Sequence, residues 1–501
     1  MATGLTSHYT RPLSFSEGRP LRITSSVRVV LIALALIALY RVASLLLHDP
    51  MLALANNYDQ IRYTGCYDVG PIRPGVPAWH SNPHAPLSLY GTQPIPEGNC
   101  YWSTDLLFGA PVAMAWRIAE WAGGPAEHSV RTLGALRLAA WLLVAVWVTA
   151  SLCRSGRPDV AAAHLLALAV VAADPVNTLY LNTFYAEAGA LFGLYLALAG
   201  ALVCIARPGR VAFAAAATGA ALLAGSKFQH AILPLLLALG LIVAHDCRMR
   251  RAAVALLLGG LAGGAVQLYQ GTRAIPLAEA IAATNRVNFV LTTVLPNVAD
   301  AGATVARLGL PPACAELSGK SIYQLQEPVE TLCPGLRELG ALPAWGALLA
   351  EPRAWFRAMQ RMPPYMLWIP DYLGIVEGVD GKPLPAGQFT LSRWIDHRPL
   401  GLLALFGLPW LVWAATWILR AGPLARGFAG ACAIGSVAAA GIALFGDGYV
   451  ELGKHAHLTF SLALASLAVP AAGLVRQLAQ PRAIAHRDAG ELADRAAPLK
   501  K

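Results

Sequence analysis

Ten apolar stretches, separated by segments of which all but two are short, are the feature that most limits how this chain can fold. A soluble domain has no interior large enough for so many long apolar segments, whereas a bilayer accepts helices of about 20 apolar residues. Only 13% of the residues are charged, against about 25% in an ordinary soluble protein. The stretches lie near 29–47, 133–153, 159–173, 186–206, 211–225, 230–245, 252–269, 399–419, 427–445 and 456–475. We therefore predict an all-α polytopic membrane protein with about ten transmembrane helices, in which the short pair 211–225 and 230–245 could also form a broken or re-entrant arrangement.

Basic residues in every second connection predict how these helices are oriented. The clusters lie in the N-terminal tail up to Arg28, at Arg154 and Arg157, at Arg207 and Arg210, at Arg248, Arg250 and Arg251, at Arg420 and Arg426, and from Arg476 to Lys501. Positively charged loops stay on the cytoplasmic side, so we expect both termini in the cytoplasm and the protein in a bacterial inner membrane. The net charge of +10 follows from this topology. It does not indicate a nucleic-acid partner, because lysine and arginine form no patch interleaved with aromatic residues.

The predicted topology divides the chain into seven parts. They are a cytoplasmic basic tail (1–28), the first transmembrane helix (29–47), a first periplasmic loop with an interfacial helix (48–132), transmembrane helices two to seven (133–269), a large periplasmic loop (270–398), transmembrane helices eight to ten (399–475) and a cytoplasmic tail (476–501). The interfacial helix is predicted over 106–122, where an apolar stretch carries one arginine and one glutamate. A similar stretch runs from Trp345 to Met366.

Four of the eight cysteines fall in the two predicted periplasmic loops, and an oxidising compartment permits disulfides there. The pairs Cys66–Cys100 and Cys314–Cys333 could each form a bond, although sequence alone does not fix the connectivity. No CxxC motif or His/Cys spacing indicates zinc, so no metal ligands are predicted.

Four compact polar motifs flank the apolar stretches, and the topology places all four on the periplasmic side. They are Asn56-Asn57-Tyr58-Asp59-Gln60-Ile61-Arg62, the segment 174–187 that ends in Tyr185-Ala186-Glu187, Ser226-Lys227-Phe228-Gln229-His230, and Gly446-Asp447-Gly448-Tyr449-Val450-Glu451-Leu452-Gly453-Lys454-His455. Scattered solvated loops would not be expected to combine charges with Tyr, Phe and Asn in this way. We therefore predict that the four motifs converge into one site.

Asp59 is the predicted general base, because a carboxylate directly after a helix is well placed at headgroup depth. Asn57 and Tyr58 beside it can hold a polar substrate, and Arg62 can contact a phosphate. The alternative is an ordinary loop carboxylate that pairs with Arg62. Because an Asp of ordinary pKa (~3.9) is a weak base, we expect Asp59 either to act late in the reaction or to have its pKa raised by partial burial.

The second and third motifs supply one catalytic candidate and four binding candidates. Glu187 is predicted to be catalytic, whereas Asp174, Tyr185, Lys227 and Gln229 are predicted to bind substrate. The helix dipole alone could also explain Glu187 in a first helical turn, and Asp174 could simply end its helix before a proline. Lys227 is predicted on the periplasmic side, where the positive-inside rule disfavours a lysine. An isolated cation there indicates an anionic partner, either a carboxylate or a lipid phosphate.

The fourth motif supplies Asp447 as a third catalytic candidate and Glu451, Lys454 and His455 as binding candidates. If 447–455 is helical, these four residues share one stripe, although the glycines among them weaken that geometry. The alternative is a local salt bridge between Glu451 and Lys454, three residues apart.

No motif of nucleotide or metalloprotease chemistry accompanies these residues. A Walker A loop, HExxH, GxSxG and paired CxxC motifs are absent from the sequence, which argues against ATP hydrolysis, metalloprotease and zinc-site functions. A transporter or flippase of a lipid-linked or polar substrate is the main alternative, although an ion-coupled transporter would be expected to carry ionisable groups near the membrane midplane.

The order and common side of the motifs resemble the GT-C superfamily of membrane glycosyltransferases. A long first helix, a large outer loop that opens with a carboxylate, short alternating loops and a second large outer loop carry this resemblance. The motifs Ala55-Asn56-Asn57-Tyr58-Asp59, Asn182-Thr183-Phe184-Tyr185-Ala186-Glu187, Ser226-Lys227-Phe228-Gln229 and Gly446-Asp447-Gly448-Tyr449-Val450-Glu451 look like those of the bacterial hexose transferases of glycan biosynthesis, the WsfD-like branch. The resemblance covers roughly 29–270 and 399–475, whereas 270–398 and both tails match nothing that we can name.

The resemblance implies an inverting hexosyltransferase of cell-envelope polysaccharide synthesis. Its donor would be a sugar on a polyprenyl phosphate, its acceptor a periplasmic glycan or lipid, and it would need no further cofactor. A divalent metal could bind at Asp59, Glu187 or Asp447 but is not favoured, because monophosphate-lipid donors in this superfamily generally need none. Such enzymes often carry paired acids in the first loop. Here the next acid after Asp59 is Asp68, nine residues on, and this departure puts the role of Asp68 in doubt. A non-catalytic partner of glycan assembly would instead tolerate mutation of the four motifs.

Overall fold

The computed structural model describes residues 23–55, 59–76, 85–93, 100–377, 379, 384–385, 388–396 and 398–479. In chain order the α-helices are α1 (Ser25–Leu46), α2 (Ile61–Thr64), α3 (Leu106–Trp121), α4 (Arg131–Arg154), α5 (Pro158–Ala167), α6 (Pro175–Thr178), α7 (Ala186–Ala206), α8 (Arg210–Ala224), α9 (Leu233–Ile242), α10 (Cys247–Gly271), α11 (Pro276–Asn288), α12 (Ala301–Arg307), α13 (Val329–Leu332), α14 (Ala341–Leu349), α15 (Pro352–Gln360), α16 (Leu391–Ile395), α17 (Pro399–Ile418), α18 (Pro423–Asp447), α19 (Leu452–His455), α20 (His457–Ala465) and α21 (Ala468–Ala479). The strands are β1 (Ala53–Leu54), β2 (Val69–Pro71), β3 (Leu89–Thr92), β4 (His128–Ser129) and β5 (Leu373–Ile375). Turns of π-helix cover Leu168–Ala172 and Phe289–Val294, and 3₁₀ turns cover Leu179–Asn182, Phe228–Ile232, Pro312–Leu317, Ile322–Gln324 and Pro363–Tyr365.

The chain is a multi-pass membrane protein. Within the described residues, seven helices are long and apolar enough to cross a bilayer: α1, α4, α7, α10, α17, α18 and the combined α20–α21. An eighth span is possible if Pro158–Ala172 and Pro175–Asn182, which are bent by 74° relative to each other, act as one. Every predicted apolar stretch is helical, but the predicted count of ten spans is not established. The remaining two helices, Arg210–Ala224 and Phe228–Ile242, would each rise only about 22 Å, less than the ~30 Å of a bilayer core.

Small residues allow the central helices to pack backbone against backbone. A Cβ added to Gly219 of α8 would lie 2.1 Å from the backbone nitrogen of Ala197 in α7, and one added to Gly200 would lie 2.5 Å from that of Ala216. Helices inside a membrane gain little from the hydrophobic effect and associate through such close van der Waals contact. The glycines of the apolar runs therefore set the spacing of α7 and α8.

The two long connecting segments, 47–130 and 272–398, contain short strands that the all-α prediction did not include. In the first segment, β2, β3 and β4 form an antiparallel sheet. The pairing of β1 with β5 joins the two segments to each other just before Asp59. Strands of two to four residues are too short to show the alternation by which a strand is read from sequence. Both predicted disulfides, Cys66–Cys100 and Cys314–Cys333, are confirmed.

Of the two predicted interfacial stretches, the structure keeps one as a continuous helix and divides the other. α3 buries one face and exposes large apolar side chains on the other, including Met114, Ile118 and Trp121. The stretch from Trp345 to Met366 was predicted to be similar, but it is divided into the end of α14, α15 and a 3₁₀ turn. Pro352 and Pro363 begin the last two of these, because proline is accepted in the first turn of a helix but not in its interior.

We expect Gly219→Ala to lower the apparent melting temperature of the purified protein in detergent. The added methyl group would force α7 and α8 apart, and overpacking of this kind costs about 1–3 kcal/mol. Gly407→Ala is the matched control, since a Cβ there meets no atom within 4 Å and alanine favours a helix more than glycine does. Equal melting temperatures for the two variants would contradict the close packing of α7 and α8.

Candidate active site

Lys454 is the centre of a cluster of ion pairs at one end of the transmembrane helices. Its ammonium lies 2.7 Å from Oδ2 of Asp59 and also donates to Oε2 of Glu451. The lysine is only 1% exposed, whereas the side chains of Asp59 and Glu451 are 20% and 31% exposed. Solvent therefore reaches the two carboxylates of the cluster but hardly reaches the lysine.

A break in the chain after α18 brings Lys454 to this position. α18 ends at Asp447 because Gly448 has φ +70°, and a Cβ at this glycine would lie 2.4 Å from Oγ1 of Thr292. Glu451 follows with φ +48°, a left-handed conformation that is unfavourable for a residue with a side chain. The segment 447–455 is therefore not one helix, and the stripe that its four charged residues would share on a helix does not form.

The short helix α19 is held against the second connecting segment. A Cβ added to Gly453 would lie only 2.0 Å from the carbonyl oxygen of Leu367, so the backbone of α19 touches the backbone of that segment. Tyr372 of the same segment places its ring 5.9 Å from the ammonium of Lys454, and the ring of Tyr185 lies 5.5 Å from it. Both aromatic faces favour a cation at this point.

A second buried ion pair joins Glu187 and Lys227 next to this centre. Glu187 is in the first turn of α7, as predicted, and Lys227 has an extended backbone just before the 3₁₀ turn Phe228–Ile232. Their side chains are 3% and 11% exposed and hydrogen-bonded to each other. Burial, the largest cause, lowers the pKa of Lys227, and the nearby Lys454 lowers it further, although Glu187 opposes both. An additional anion would therefore stabilise the charged lysine.

The carboxyl group of Asp59 is held in its charged form. Burial alone would raise its pKa, but Lys454 and Arg62 outweigh burial and bring the pKa below the ordinary value. The sequence-based expectation of a raised pKa is therefore wrong for the ligand-free protein, because it did not include Lys454, 395 residues away in the chain. The predicted alternative contact with Arg62 also exists, although at 3.9 Å it is the longer of the two.

The pKa of Lys454 shifts in the opposite direction. Burial on its own would lower it, but Asp59 and Glu451 raise it well above the ordinary value. The Glu451–Lys454 salt bridge at three residues' spacing, which was the simpler alternative for this motif, is thus present. It occurs together with the long-range pair to Asp59 rather than instead of it.

Asp447 and His455 form a third pair beside the cluster. Nε2 of His455 lies 3.1 Å from Oδ2 of Asp447, and both side chains are less than 10% exposed. Asn288 of α11 donates to the other carboxylate oxygen of Asp447 at 3.4 Å. This pair connects the end of α18 to the second connecting segment, and within the described residues neither of its side chains forms an ion pair or hydrogen bond with the Lys454 ammonium.

Asp174 lies apart from the ion pairs and holds two elements together. It caps α6 by accepting from the amide of Val176, and it accepts from the amides of Leu391 and Ser392 and from the hydroxyl of Ser392 at 2.6 Å. These bonds attach α16 of the second connecting segment to the sharp bend between α5 and α6. Its predicted role in substrate binding has no support from these contacts.

The remaining predicted site residues are placed as follows. Gln229 lies against the end of α18, since its side-chain oxygen is 3.3 Å from where a Cβ of Gly446 would be. Its Nε2 is buried and has no hydrogen-bond partner among the described residues. Asn57 and Tyr58 lie outside the described residues. No group of three or more His, Cys, Asp or Glu side chains in the described ranges is arranged to hold a metal ion.

A fully buried pair, Arg137–Asp105, and three ring side chains near Lys454 were not predicted from the sequence: Tyr180, Tyr372 and His457. Arg137 of α4 bonds to Asp105 and donates to three carbonyl oxygens of the chain between Tyr180 and Thr183. It therefore fixes the segment that leads into Glu187. An arginine inside an apolar helix is a signal that could have identified it, because a charge there needs a partner.

One family model matches the chain, over residues 126–338, and its description is the YfdI N-terminal transmembrane domain. The match covers less than half of the chain. It includes the Glu187–Lys227 pair but neither Asp59 nor the segment 447–455. Neither a curated protein nor a solved structure matches the chain.

We expect acid to destabilise the wild-type protein more than it destabilises the Asp59→Asn variant. The pKa of Asp59 is depressed in the folded protein and returns to ~3.9 on unfolding, so its ion pairing stabilises the fold above that pH and is lost as the pH falls below it. Melting temperatures between about pH 6 and about pH 3 measure this loss. The control is Asp68→Asn, because this carboxylate is 56% exposed and only pairs with Arg117 at 3.6 Å. The same acid sensitivity in Asp59→Asn and wild type would contradict the assignment.

Proposed function

We propose that this protein is an inverting GT-C-type glycosyltransferase that moves a sugar from a polyprenyl phosphate to a glycan or lipid acceptor. The observation that carries the proposal is the placement of Lys454 between Asp59 and Glu451, next to the Glu187–Lys227 pair. Sugar transfer from a lipid phosphate needs one carboxylate to accept a proton and cations to neutralise the departing phosphate. The cluster supplies both within a few ångströms.

In the proposed reaction, an acceptor hydroxyl oxygen attacks the anomeric carbon of the donor sugar. Asp59 takes the hydroxyl proton, and the bond between the anomeric carbon and the phosphate oxygen breaks with its electron pair left on the phosphate. Lys454 and Lys227 stabilise the charge that develops there, and Arg62 approaches from the side of Asp59. Glu187 keeps Lys227 charged and oriented, and Glu451 does the same for Lys454.

Donor binding would also prepare Asp59 for its role. In the ligand-free protein Lys454 keeps the Asp59 carboxyl strongly acidic, which suits an ion pair but not a base. A phosphate that takes over the Lys454 ammonium removes the largest opposing charge, so burial would then raise the pKa of Asp59. The base would be active only when the donor is present.

The distribution of basic residues supports a site on the periplasmic face of a bacterial inner membrane. The cluster lies at the ends of α7 and α18 that are opposite Arg207 and Arg426. With those arginines on the cytoplasmic side, the acceptor would come from the cell-envelope glycans or lipids. The membrane supplies the lipid-linked donor, and no separate cofactor is required.

A transporter or flippase is the alternative function, and a non-catalytic partner of glycan assembly is another. The described spans contain ionisable residues such as Arg137 and His164, which a transporter could use. Arg137 is occupied by Asp105 and three carbonyl oxygens, however, and His164 bonds to the hydroxyl of Tyr195 at 3.0 Å. These contacts favour structural roles for both residues.

We expect Asp59→Asn to remove one sugar from an envelope glycan. Glycan profiles of cells carrying this variant are compared with wild type and with Asp68→Asn at matched protein levels in the membrane. The asparagine keeps the shape of the side chain but cannot accept the proton, so transfer should fall by about 10²–10⁴-fold. Asp68→Asn should leave the profile unchanged.

An unchanged profile in Asp59→Asn would exclude this residue as the base and direct attention to Glu187 and Asp447. If complete deletion of the protein also left every glycan intact, the glycosyltransferase proposal would be wrong, and the transporter would become the leading hypothesis.

A further inference from the structure

Within the part of the chain that the structure describes, three buried polar atoms near Lys454 have no hydrogen-bond partner. They are the hydroxyl groups of Tyr180 and Tyr372 and Nε2 of His457. Tyr180 and His457 are each only 1% exposed. Buried polar atoms are nearly always paired, and buried Tyr hydroxyls usually find a partner. Three such atoms around one centre indicate a ligand with polar groups of its own.

The four aromatic side chains at this point form one group, which we call the ring cluster: Tyr180, Tyr185, Tyr372 and His457. The ring of Tyr180 lies 6.2 Å from that of Tyr185 and 5.8 Å from that of His457, and Tyr185 lies 6.5 Å from Tyr372. Two members of the ring cluster, Tyr185 and Tyr372, face the ammonium of Lys454, and Tyr180 and His457 extend the group from Tyr185.

The hydrogen-bonding roles of these atoms define the chemistry of the ligand. Nδ1 of His457 lies 2.9 Å from the carbonyl oxygen of Lys454 and must donate to it, so Nε2 of the neutral ring is an acceptor. The two Tyr hydroxyls can each donate and accept. A ligand with several hydroxyl groups matches this mixture of donors and acceptors, and it can also pack against the aromatic faces. A purely anionic ligand could not satisfy the acceptor on His457.

We propose that the ring cluster binds the sugar of the donor, with Tyr180, Tyr372 and His457 bonding to its hydroxyl groups. This inference rests on the proposed glycosyltransferase function and assigns the sugar and phosphate to adjacent places. The ammonium of Lys454 occupies the space between the rings in the ligand-free protein. A phosphate that pairs with this ammonium draws it away from the rings, and the sugar attached to that phosphate takes its place.

The test uses Tyr180→Phe and Tyr372→Phe, which remove one hydroxyl group each and keep the ring. We expect each variant to reduce the sugar that Asp59→Asn removes by about tenfold, the value of one ordinary hydrogen bond, at matched low protein levels. Their melting temperatures should stay the same or rise, because the lost hydroxyl group had no partner. If the hydroxyl group had only a structural role, its removal would instead lower the melting temperature.

Two further tyrosines are matched controls. The hydroxyl of Tyr67 is also buried without a partner, but its ring packs against Phe184 rather than in the ring cluster, so Tyr67→Phe should preserve transfer. The hydroxyl of Tyr449 donates to the carbonyl oxygen of Ala358 at 2.7 Å, so Tyr449→Phe should lower the melting temperature.

A second measurement separates the sugar from the phosphate. Undecaprenyl phosphate, which carries no sugar, is added to each purified variant and the rise in melting temperature is recorded. Tyr180→Phe and Tyr372→Phe should show the wild-type rise, whereas Lys454→Gln should show none.

The outcomes distinguish this inference from the proposed function. If Asp59→Asn removes the sugar but both Tyr→Phe variants transfer it at the wild-type level, the ring cluster is not the sugar site although the enzyme is a glycosyltransferase. A drop in melting temperature like that of Tyr449→Phe, or a lost response to undecaprenyl phosphate, would also overturn the inference. An unaltered glycan in Asp59→Asn would remove the proposed function on which it rests.

Discussion

The burial of the Lys454 ammonium is the constraint on which the rest of the site depends. A lysine that is 1% exposed cannot stay charged without carboxylates in direct contact. Asp59 and Glu451 provide that contact from opposite ends of the sequence. The ion pairs therefore fix the start of the first connecting segment against the chain that follows α18. Loss of either carboxylate would leave the buried ammonium partly unpaired. This costs more stability than replacing all members of the ion pair with apolar residues.

The connecting segments complete what the transmembrane helices alone could not build. Helix ends bring Glu187 and the residues after α18 to one side of the membrane, but the contacts around Lys454 also need irregular chain. The β1–β5 pair holds the two segments together just before Asp59, and the backbone near Leu367 rests on Gly453. Glu451 keeps a left-handed backbone in this setting, and such strain persists only where the surrounding structure enforces it, typically at functional sites.

Patterns along the sequence predicted the parts of the structure that local chemistry determines. Apolar length predicted the helices, and the placement of four cysteines in the predicted outer loops allowed both disulfides, although it did not fix their connectivity. The sequence also identified Asp59, Glu187, Lys227 and Lys454 as site candidates, because charges beside apolar runs need a reason to be there. It could not pair them, since the partner of Asp59 is 395 residues away. It also left open whether 447–455 is one helix, because the glycines of this segment weaken that geometry but do not show that Gly448 adopts a positive φ against Thr292.

In the proposed function, the charges of the cluster would couple the binding of an anionic substrate to the activation of Asp59 as a base. Three carboxylates (Asp59, Glu187 and Glu451) face three cations (Lys454, Lys227 and Arg62), so the ligand-free cluster is balanced. A phosphate cannot add its charge to such a cluster without displacing one carboxylate from its cation. Asp59 is one of the two carboxylates paired with Lys454, and a phosphate that takes over this ammonium would leave Asp59 only its longer contact with Arg62. Once displaced, it is a partly buried carboxylate with fewer positive neighbours, and its affinity for a proton rises. In the proposed reaction, the binding of the leaving group and the activation of the base would then be a single electrostatic event.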